Sequence, residues 1–189
     1  MDLKKEKKRM RKRVRSLERA LCAEYKAQAD RLMGFRVMGL PEYKEAKTVF
    51  AFVGLEREIN TSPWIAEMLK DGRRVCVPLC RGEGEMSLKL IKGLDELRPG
   101  TWGILEPSEC APDVSPDEVD LALIPCASCS RDGRRLGQGG GYYDRFLKDF
   151  KGSSVLVCRE ALMRDDIPME AHDAVIPLVV SEKAVYRNK

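Results

Sequence analysis

The sequence predicts an α/β fold with three layers, in which an open, mostly parallel sheet carries helices on both faces. From residue 48 onward, short apolar runs such as 48–53 and 121–125 alternate with longer amphipathic stretches. These runs are continuously apolar, as in buried parallel strands, and rich in β-branched residues. No repeat, low-complexity tract or linker interrupts the 189 residues, so we expect a single domain over residues 1–189.

The helices are predicted from apolar spacing and from end signals. Met10, Val14, Leu17 and Leu21 are spaced 4, 3 and 4, which predicts one long first helix over residues 3–33. Ser62 is expected to be a helix N-cap, followed by Pro at the first helical position. Further helices are predicted at 41–46, 62–71 and 142–150, and strands at 48–53, 75–78, 86–91, 102–105, 121–125, 154–158 and 175–180.

Charge and composition exclude several classes of protein. Residues 1–19 hold ten Lys or Arg and three acids, whereas the rest of the chain is net −3, unlike a protein that binds nucleic acid over its whole surface. No segment approaches the roughly 20 apolar residues of a membrane span, and no apolar stretch follows the basic N-terminus as in a secretory signal. The seven cysteines are an odd number, which favours reduced thiols and a cytoplasmic location.

A glycine-rich loop is the most informative segment. Residues 137–141 contain four glycines and lie between a predicted strand and a predicted helix. Without Cβ atoms, backbone N–H groups can approach a ligand closely, and the positive end of the following helix favours phosphate. The loop is neither a Walker A motif nor the dinucleotide fingerprint. The many glycines beside two tyrosines favour phosphate binding over the alternative, a flexible surface turn.

Six segments of the chain resemble one known family. Residues 135–145, Arg-Leu-Gly-Gln-Gly-Gly-Gly-Tyr-Tyr-Asp-Arg, resemble the signature loop of the 5-formyltetrahydrofolate cyclo-ligases. In the same order as in that family, the other similar segments are Lys7-x3-Arg11, 58–61 (Glu-Ile-Asn-Thr), 75–78 (Val-Cys-Val-Pro), 103–107 (Gly-Ile-Leu-Glu-Pro), and 167–173 with 178–182.

The resemblance implies ATP and Mg²⁺ as cofactors and a reduced folate as substrate. The reaction it implies passes through a phosphorylated formyl group, which depends on positioning and charge neutralisation more than on covalent catalysis. Glu58 and Arg145 are the implied catalytic residues. Implied substrate contacts are Glu58, Thr61, Trp102, Gly103 and Tyr143, and implied magnesium ligands are Asp144 and Asp132. The implied ATP-binding residues are Lys7, Arg11, Arg135, Gly137, Gln138, Gly139, Gly140, Gly141, Tyr142, Tyr143, Asp144 and Arg145.

The chain departs from the family pattern at three positions. Ser130 occupies a position where the family usually has Asp, and Asp132 is the nearest acid that could replace it. Leu162 stands where a glutamine is common, and Pro177 stands where a second acid is common. These differences bear on the roles of single residues.

The sequence also leaves two alternative functions open. The basic segment 4–19 could bind RNA, although such a segment is usually a solvated helix face. Cys76, Cys80, Cys126 and Cys129 could form a zinc or redox site, but we expect these thiols to pack as small core residues. The single histidine, His172, is expected to be structural, with Asp173 fixing its tautomer.

The expected partners are 5-formyltetrahydrofolate, with or without a polyglutamate tail, and ATP. We expect a monomer without nucleic-acid or membrane partners.

Overall fold

The computed structural model describes residues 2–82, 84–171 and 173–188. Within these ranges the α-helices are α1 (Leu3–Ala20), α2 (Ala23–Gly39), α3 (Pro41–Glu45), α4 (Ser62–Lys70) and α5 (Tyr142–Asp149). The strands are β1 (Thr48–Phe50), β2 (Arg74–Gly82), β3 (Glu85–Ile91), β4 (Arg98–Pro99), β5 (Leu105–Glu106), β6 (Asp113–Val114), β7 (Leu121–Ile124), β8 (Ser128–Cys129), β9 (Arg135–Leu136), β10 (Ser153–Val157), β11 (Leu178–Val180) and β12 (Val185–Arg187).

One large sheet runs through the molecule in the order β12-β11-β10-β7-β1-β2-β3-β6. Its five central strands, from β11 to β2, are parallel. Antiparallel strands flank them, with β12 at one edge and β3 and β6 at the other. The predicted mostly parallel sheet is confirmed.

Both faces of this sheet are covered because successive strand residues point to opposite sides. Val49 packs in one apolar cluster with Met33 of α2 and Ile65 of α4. Its neighbour Phe50 packs in a second cluster with Val14 of α1, against which the apolar residues of α5 also lie. The predicted three-layer arrangement is therefore confirmed. Among the described helices, none is long and apolar enough to cross a membrane.

The prediction of one long N-terminal helix over residues 3–33 is wrong. The helix ends at Ala20, and Leu21 has extended backbone angles (φ −71°, ψ 128°) before α2 starts. The break is needed because α1 and α2 cover opposite faces of the sheet, so the chain must turn between them. Leu17, assigned to the apolar stripe, is 38% exposed.

Other differences are local. Residues 102–105 were predicted as a strand, but Thr101–Gly103 is a 3₁₀ turn and only Leu105–Glu106 pairs as a strand. The residue preceding α4 is Thr61 rather than Ser62, and its side chain does not cap the helix. The strand predicted at 175–180 is shortened to Leu178–Val180. The other predicted helices and strands lie within a few residues of their predicted positions, apart from an extension of β2 to Gly82. The short strands β4, β6, β8, β9 and β12 were not predicted.

A buried ion pair joins α2 to the end of β10. Arg159 Nε and Nη2 donate to the two carboxylate oxygens of Asp30 at 2.8 and 2.9 Å. The Asp30 carboxylate also accepts from Asn60 N at 2.9 Å, and Arg159 Nη2 donates to Glu58 O at 2.7 Å. The pair therefore fixes the loop after β1 from both sides.

Replacing Asp30 with Asn should lower the free energy of unfolding by about 3–5 kcal/mol, because the Arg159 charge would remain buried without its partner. Urea denaturation followed by circular dichroism measures this loss. The control is Glu42→Gln, which breaks the half-exposed pair between Glu42 and Arg187 and should cost about 1 kcal/mol or less. Equal losses from the two variants would show that the buried pair contributes no more to the free energy of unfolding than the half-exposed pair does.

Candidate functional site

A cavity of about 370 Å³ opens at the carboxyl edge of the parallel strands. Phe52 and Val53, which follow β1, and Pro125 and Cys126, which follow β7, lie in its wall. These neighbouring strands are the point where the chain order reverses, since β1 leads toward β2 on one side and β7 toward β10 on the other. Open α/β sheets bind their ligands at this kind of position.

The glycine loop forms one side of the cavity, with all five of its residues, 137–141, in the wall. Gly139 has φ +106° and Gly141 has φ +75°, a backbone region that other residues rarely adopt. Gly141 immediately precedes α5, so the positive N-terminal end of that helix points to the cavity. Arg11 Nε donates to Gly137 O at 2.7 Å and holds the loop from α1.

Arginines surround this loop. Arg15, one turn beyond Arg11 on α1, lies in the cavity wall and donates to Gln138 Oε1 at 3.3 Å. Burial lowers the pKa of Arg11, and the charge of Arg15 acts in the same direction. Arg145 lies on the other side of the loop, where its Nη1 donates to Gly84 O at 3.2 Å. It lines a neighbouring groove rather than the main cavity.

A nearly buried arginine meets a carboxylate in the cavity wall. Arg135, 7% exposed, forms an ion pair with Asp144 in the first turn of α5. Its Nη1 also donates to Pro125 O at 3.2 Å. The buried Arg135 Nε has no hydrogen-bond partner within the described ranges. The pair therefore places one positive and one negative group side by side at the base of the glycine loop.

Lys7 lies one helical turn before Arg11 but does not reach the cavity wall. Its ammonium is held by Glu170 at 2.6 Å and by Asp173 at 2.5 Å. Burial alone would lower the pKa of Lys7, but the hydrogen bonds to the two carboxylates outweigh it and raise the pKa. Lys7 thus connects α1 to the segment that carries Glu170 and Asp173. His172, expected to be structural, lies outside the described residues.

Glu58 faces the glycine loop from the opposite wall. One of its carboxylate oxygens accepts from Gln138 Nε2 at 3.2 Å and the other from Leu55 N at 3.3 Å. Both donors are neutral, in contrast to the arginine that pairs with Asp144. The loop after β1 therefore presents a carboxylate across the cavity from the glycines.

Aromatic side chains close the third side. Trp102 is 69% exposed and adopts φ 55°, a strained value for a non-glycine residue that is found mainly at functional sites. Its ring meets Tyr142 edge-on at 5.9 Å. Tyr143 stacks on Phe50 at 6.0 Å, and burial raises the pKa of its hydroxyl. Gly103, with φ +79°, follows Trp102 but is not part of the wall.

Thr61 and Asp132, which the resemblance also implies, lie away from the cavity as well. Thr61 is fully buried, and its hydroxyl donates to Phe52 O at 2.6 Å and accepts from Gly54 N at 3.3 Å. Asp132 lies in the turn between β8 and β9, at the end of this hairpin opposite the glycine loop. There it pairs with Arg134, whose hydrogen bond lowers the Asp132 pKa.

Several wall residues were missed from the sequence. Arg15 continues the spacing of Lys7 and Arg11 by another four residues, so helical periodicity could have indicated it. Arg57 and Met86 carry no comparable signal, because loop geometry and strand pairing bring them to the wall. Cys126 was assigned to the core, whereas it lies at the cavity surface.

The thiols group differently from the set considered in the sequence. Cys126, Cys129 and Cys158 have all three sulfur atoms within 4.8 Å of one another. Hydrogen bonds from the other two thiols lower the pKa of Cys126, and the nearby Arg135 charge acts in the same direction. Cys76 is buried in the second apolar cluster, as expected.

A mostly parallel sheet with a cavity at its carboxyl edge is typical of α/β enzymes. Residues 3–182 match the model of the 5-formyltetrahydrofolate cyclo-ligase family. The chain therefore belongs to this family. The 5-formyltetrahydrofolate cyclo-ligase of Escherichia coli K12 is 28% identical over 179 residues, covering 92% of this chain and 98% of that protein. The Mycolicibacterium smegmatis cyclo-ligase is 31% identical over 160 residues, covering 80% and 78%.

Solved structures agree with this assignment. The NMR structure of Aquifex aeolicus 5,10-methenyltetrahydrofolate synthetase superposes with a TM-score of 0.84 at 32% identity, covering 96% of this chain and 92% of that one. A 5,10-methenyltetrahydrofolate synthetase from Mycoplasma pneumoniae superposes with a TM-score of 0.76 at 19% identity, covering 96% and 99%. The second likeness supports the fold alone.

Replacing Thr61 with Val should lower the free energy of unfolding by about 1–3 kcal/mol, because the buried Phe52 carbonyl would lose its donor. Thermal or urea denaturation measures the change. Thr61→Ser is the matched control, since it keeps the hydroxyl and should cost about 0.8 kcal/mol for the lost methyl. A Val variant of unchanged stability but impaired turnover would instead indicate direct contact with the substrate.

Proposed function

We propose that this enzyme is an ATP- and Mg²⁺-dependent cyclo-ligase that converts 5-formyltetrahydrofolate to 5,10-methenyltetrahydrofolate and releases ADP and phosphate. Membership of the family gives the folate conversion. One observation carries the finer assignment: the glycine loop and Glu58 face each other across the cavity and are joined through Gln138. The loop that we assign to the phosphates is therefore separated from the Glu58 carboxylate by a single side chain, that of Gln138.

ATP phosphates are assigned to the loop side of the cavity. The backbone of residues 137–141 and the N-terminal end of α5 supply N–H groups and positive potential. Arg11, Arg15 and Arg135 add positive charge around the same loop. Catalysis of phosphoryl transfer depends mainly on such positioning and electrostatic stabilisation.

Magnesium is assigned to Asp144. Mg²⁺ is usually held by one or two carboxylates together with substrate phosphates, and Asp144 is a carboxylate in the cavity wall at the first turn of α5. When bound, the ion would neutralise negative charge on the phosphates. Asp132 is not part of this assignment, because Arg134 pairs with it in the turn at the other end of the hairpin.

The folate is assigned to the aromatic side of the cavity. Trp102, Tyr142 and Tyr143 offer aromatic surfaces on which a pterin ring can stack, and Met86 and Ile104 extend this apolar wall. Glu58 then lies between the folate and the phosphates. Among the described residues its carboxylate accepts hydrogen bonds only from neutral donors, so we assign Glu58 as the group that takes the proton from the folate.

The reaction proceeds in two steps. The formyl oxygen on N5 attacks the γ-phosphorus of ATP, the bond to the bridging oxygen breaks, and ADP leaves. N10 then attacks the formyl carbon, and the carbon–oxygen bond breaks to release phosphate. Glu58 accepts the N10 proton in this second step. The product is the cyclic methenyl cation.

Other implied residues act by positioning. Arg145 donates to Gly84 O and Gly140 O and so ties the glycine loop to the turn between β2 and β3. Lys7 connects α1 to the segment carrying Glu170 and Asp173. These contacts support a role for Arg145 and Lys7 in positioning the loop and α1, rather than in touching the reacting atoms.

The RNA-binding alternative receives less support from α1. Lys7, Arg11 and Arg15 face carboxylates or the glycine loop, so one face of the basic segment is already occupied. The monomeric state, the cytoplasmic location, the absence of nucleic-acid partners and the single domain stay predictions.

The direct test is an absorbance assay of methenyltetrahydrofolate formed from 5-formyltetrahydrofolate. Product should form only when both ATP and Mg²⁺ are present, and ADP should appear in equal amount. Product formation at the same rate without nucleotide would contradict the proposal, as would ADP release without cyclisation.

Arg11→Ala should raise the KM for ATP by about 10- to 100-fold, since losing a hydrogen bond to a charged group costs about 1.5–3 kcal/mol. The KM for the folate should change little. Steady-state kinetics with each substrate varied in turn measures both constants. Lys12→Ala, at the next and exposed position of α1, is the control and should leave both constants unchanged. Equal effects of the two variants would indicate general electrostatic attraction instead.

Gly141→Ala should lower kcat/KM by about 100-fold, because its Cβ would displace the Arg145 guanidinium that holds Gly140 O, and a shift of about 1 Å in the loop is enough for such a loss. Its added Cβ would lie 2.8 Å from Arg145 Nη1 at φ +75°. Gly72→Ala is the control, with nearly the same φ of +77° and open space around it. Both variants should lose about 1–2 kcal/mol of stability from the left-handed backbone. Full activity in Gly141→Ala would show that the glycine loop does not bind the phosphates.

A further inference from the structure

We propose that Cys126, Cys129 and Cys158 form a binding site for one soft, thiophilic metal ion of the Zn²⁺ or Cd²⁺ type behind the cavity wall, with Cys126 at the cavity surface. The family assignment and the proposed reaction do not require this site. It rests on the placement of three sulfur atoms by the sheet.

The backbone brings the thiols together. β7 and β10 pair in parallel, with Ile124 beside Leu156. Cys126 and Cys158 each follow two residues after this pair, so they leave the sheet at the same level on neighbouring strands. Cys129 ends β8, three residues after Cys126, and its carbonyl oxygen accepts a hydrogen bond from Arg164 N at 2.8 Å. The register of β7 and β10 thus places two of the thiols, and the short β8–β9 hairpin holds the third.

The sulfur positions suit a metal ion. All three lie within 4.8 Å of one another, and the described residues contain no other group of three or more His, Cys, Asp or Glu that meets this spacing. Zinc binds cysteine sulfur at about 2.3 Å, which places tetrahedral sulfur ligands roughly 3.8 Å apart. Small side-chain rotations would close the cluster onto an ion. Cys129 and Cys158 are buried, whereas Cys126 is partly accessible and offers the route of entry.

Charge and access favour a site that is open on one side. Three thiolates around a divalent ion carry a net charge of −1, and Arg135, which donates to the carbonyl just before Cys126, supplies a positive charge nearby. Cys126 lies in the wall of the main cavity, and Cys126 and Cys158 both line a small adjoining cavity of about 50 Å³. Three protein ligands with a fourth position facing a cavity leave room for water or another ligand.

Occupancy should also slow turnover, a consequence that rests on the proposed function. Cys126 and Glu58 share both cavities, so an ion bound to this thiol adds charge close to the assigned folate and phosphate positions. Metal binding itself does not depend on that function.

Titration of the fully reduced, metal-free protein with Cd²⁺ tests the site without an activity measurement. The ultraviolet charge-transfer absorbance of cadmium thiolate should saturate at one ion per chain, and the ¹¹³Cd NMR shift should report three sulfur ligands. Cys126→Ser, which removes the partly accessible thiol, should weaken binding more than about tenfold, because even the loss of a partner that only orients a ligand typically costs about 10- to 100-fold. The exposed cysteines provide the controls, because Cys22→Ser and Cys110→Ser should bind as the unmodified chain does.

A titration that does not saturate, a shift that reports fewer than three sulfur ligands, or equal losses in Cys126→Ser and Cys110→Ser would overturn the site. Zn²⁺ should slow turnover of the unmodified chain, and a chelator should restore it. The relative inhibition should be much smaller in Cys126→Ser than in Cys110→Ser. Equal inhibition of these two variants would place the inhibitory ion elsewhere.

Discussion

The buried ion pair between Asp30 and Arg159 is the interaction on which the cavity most depends. It joins a helix on one face of the sheet to the carboxyl end of a central strand, and it also holds the backbone of Asn60 and Glu58. A buried pair is weak evidence for stability, but losing one partner is costly. Its structural effect is to fix the wall that presents the Glu58 carboxylate to the glycine loop.

The opposite wall is fixed by arginines that bind backbone carbonyls. Arg11 and Arg145 hold the glycine loop from two sides, and Arg135 joins the end of β7 to α5. Glycines leave the loop free to approach a ligand, while these contacts limit its movement. The proposed phosphate cradle is thus open at its surface and restrained from behind, as a reaction that depends on positioning requires.

Sequence patterns predicted much of this arrangement and failed where long-range packing decides. Strand composition and the glycine loop indicated the sheet, α5 and one side of the cavity, because each is a local signal. The break at Leu21 was missed because apolar spacing does not reveal that consecutive helices cover opposite faces. The grouping of Cys158 with Cys126 was missed because only strand pairing brings them together. Likewise, no sequence pattern indicated that the Thr61 hydroxyl would bind the backbone of Phe52 and Gly54 rather than a substrate.

The central claim is that the formyl oxygen attacks ATP in a cavity where Glu58 faces the glycine loop. Turnover of 5-formyltetrahydrofolate labelled with ¹⁸O in the formyl group tests it most directly, with ³¹P NMR or mass spectrometry of the released phosphate. Each released phosphate is expected to carry one labelled oxygen from the formyl group. Unlabelled phosphate, with the label recovered in water, would contradict it.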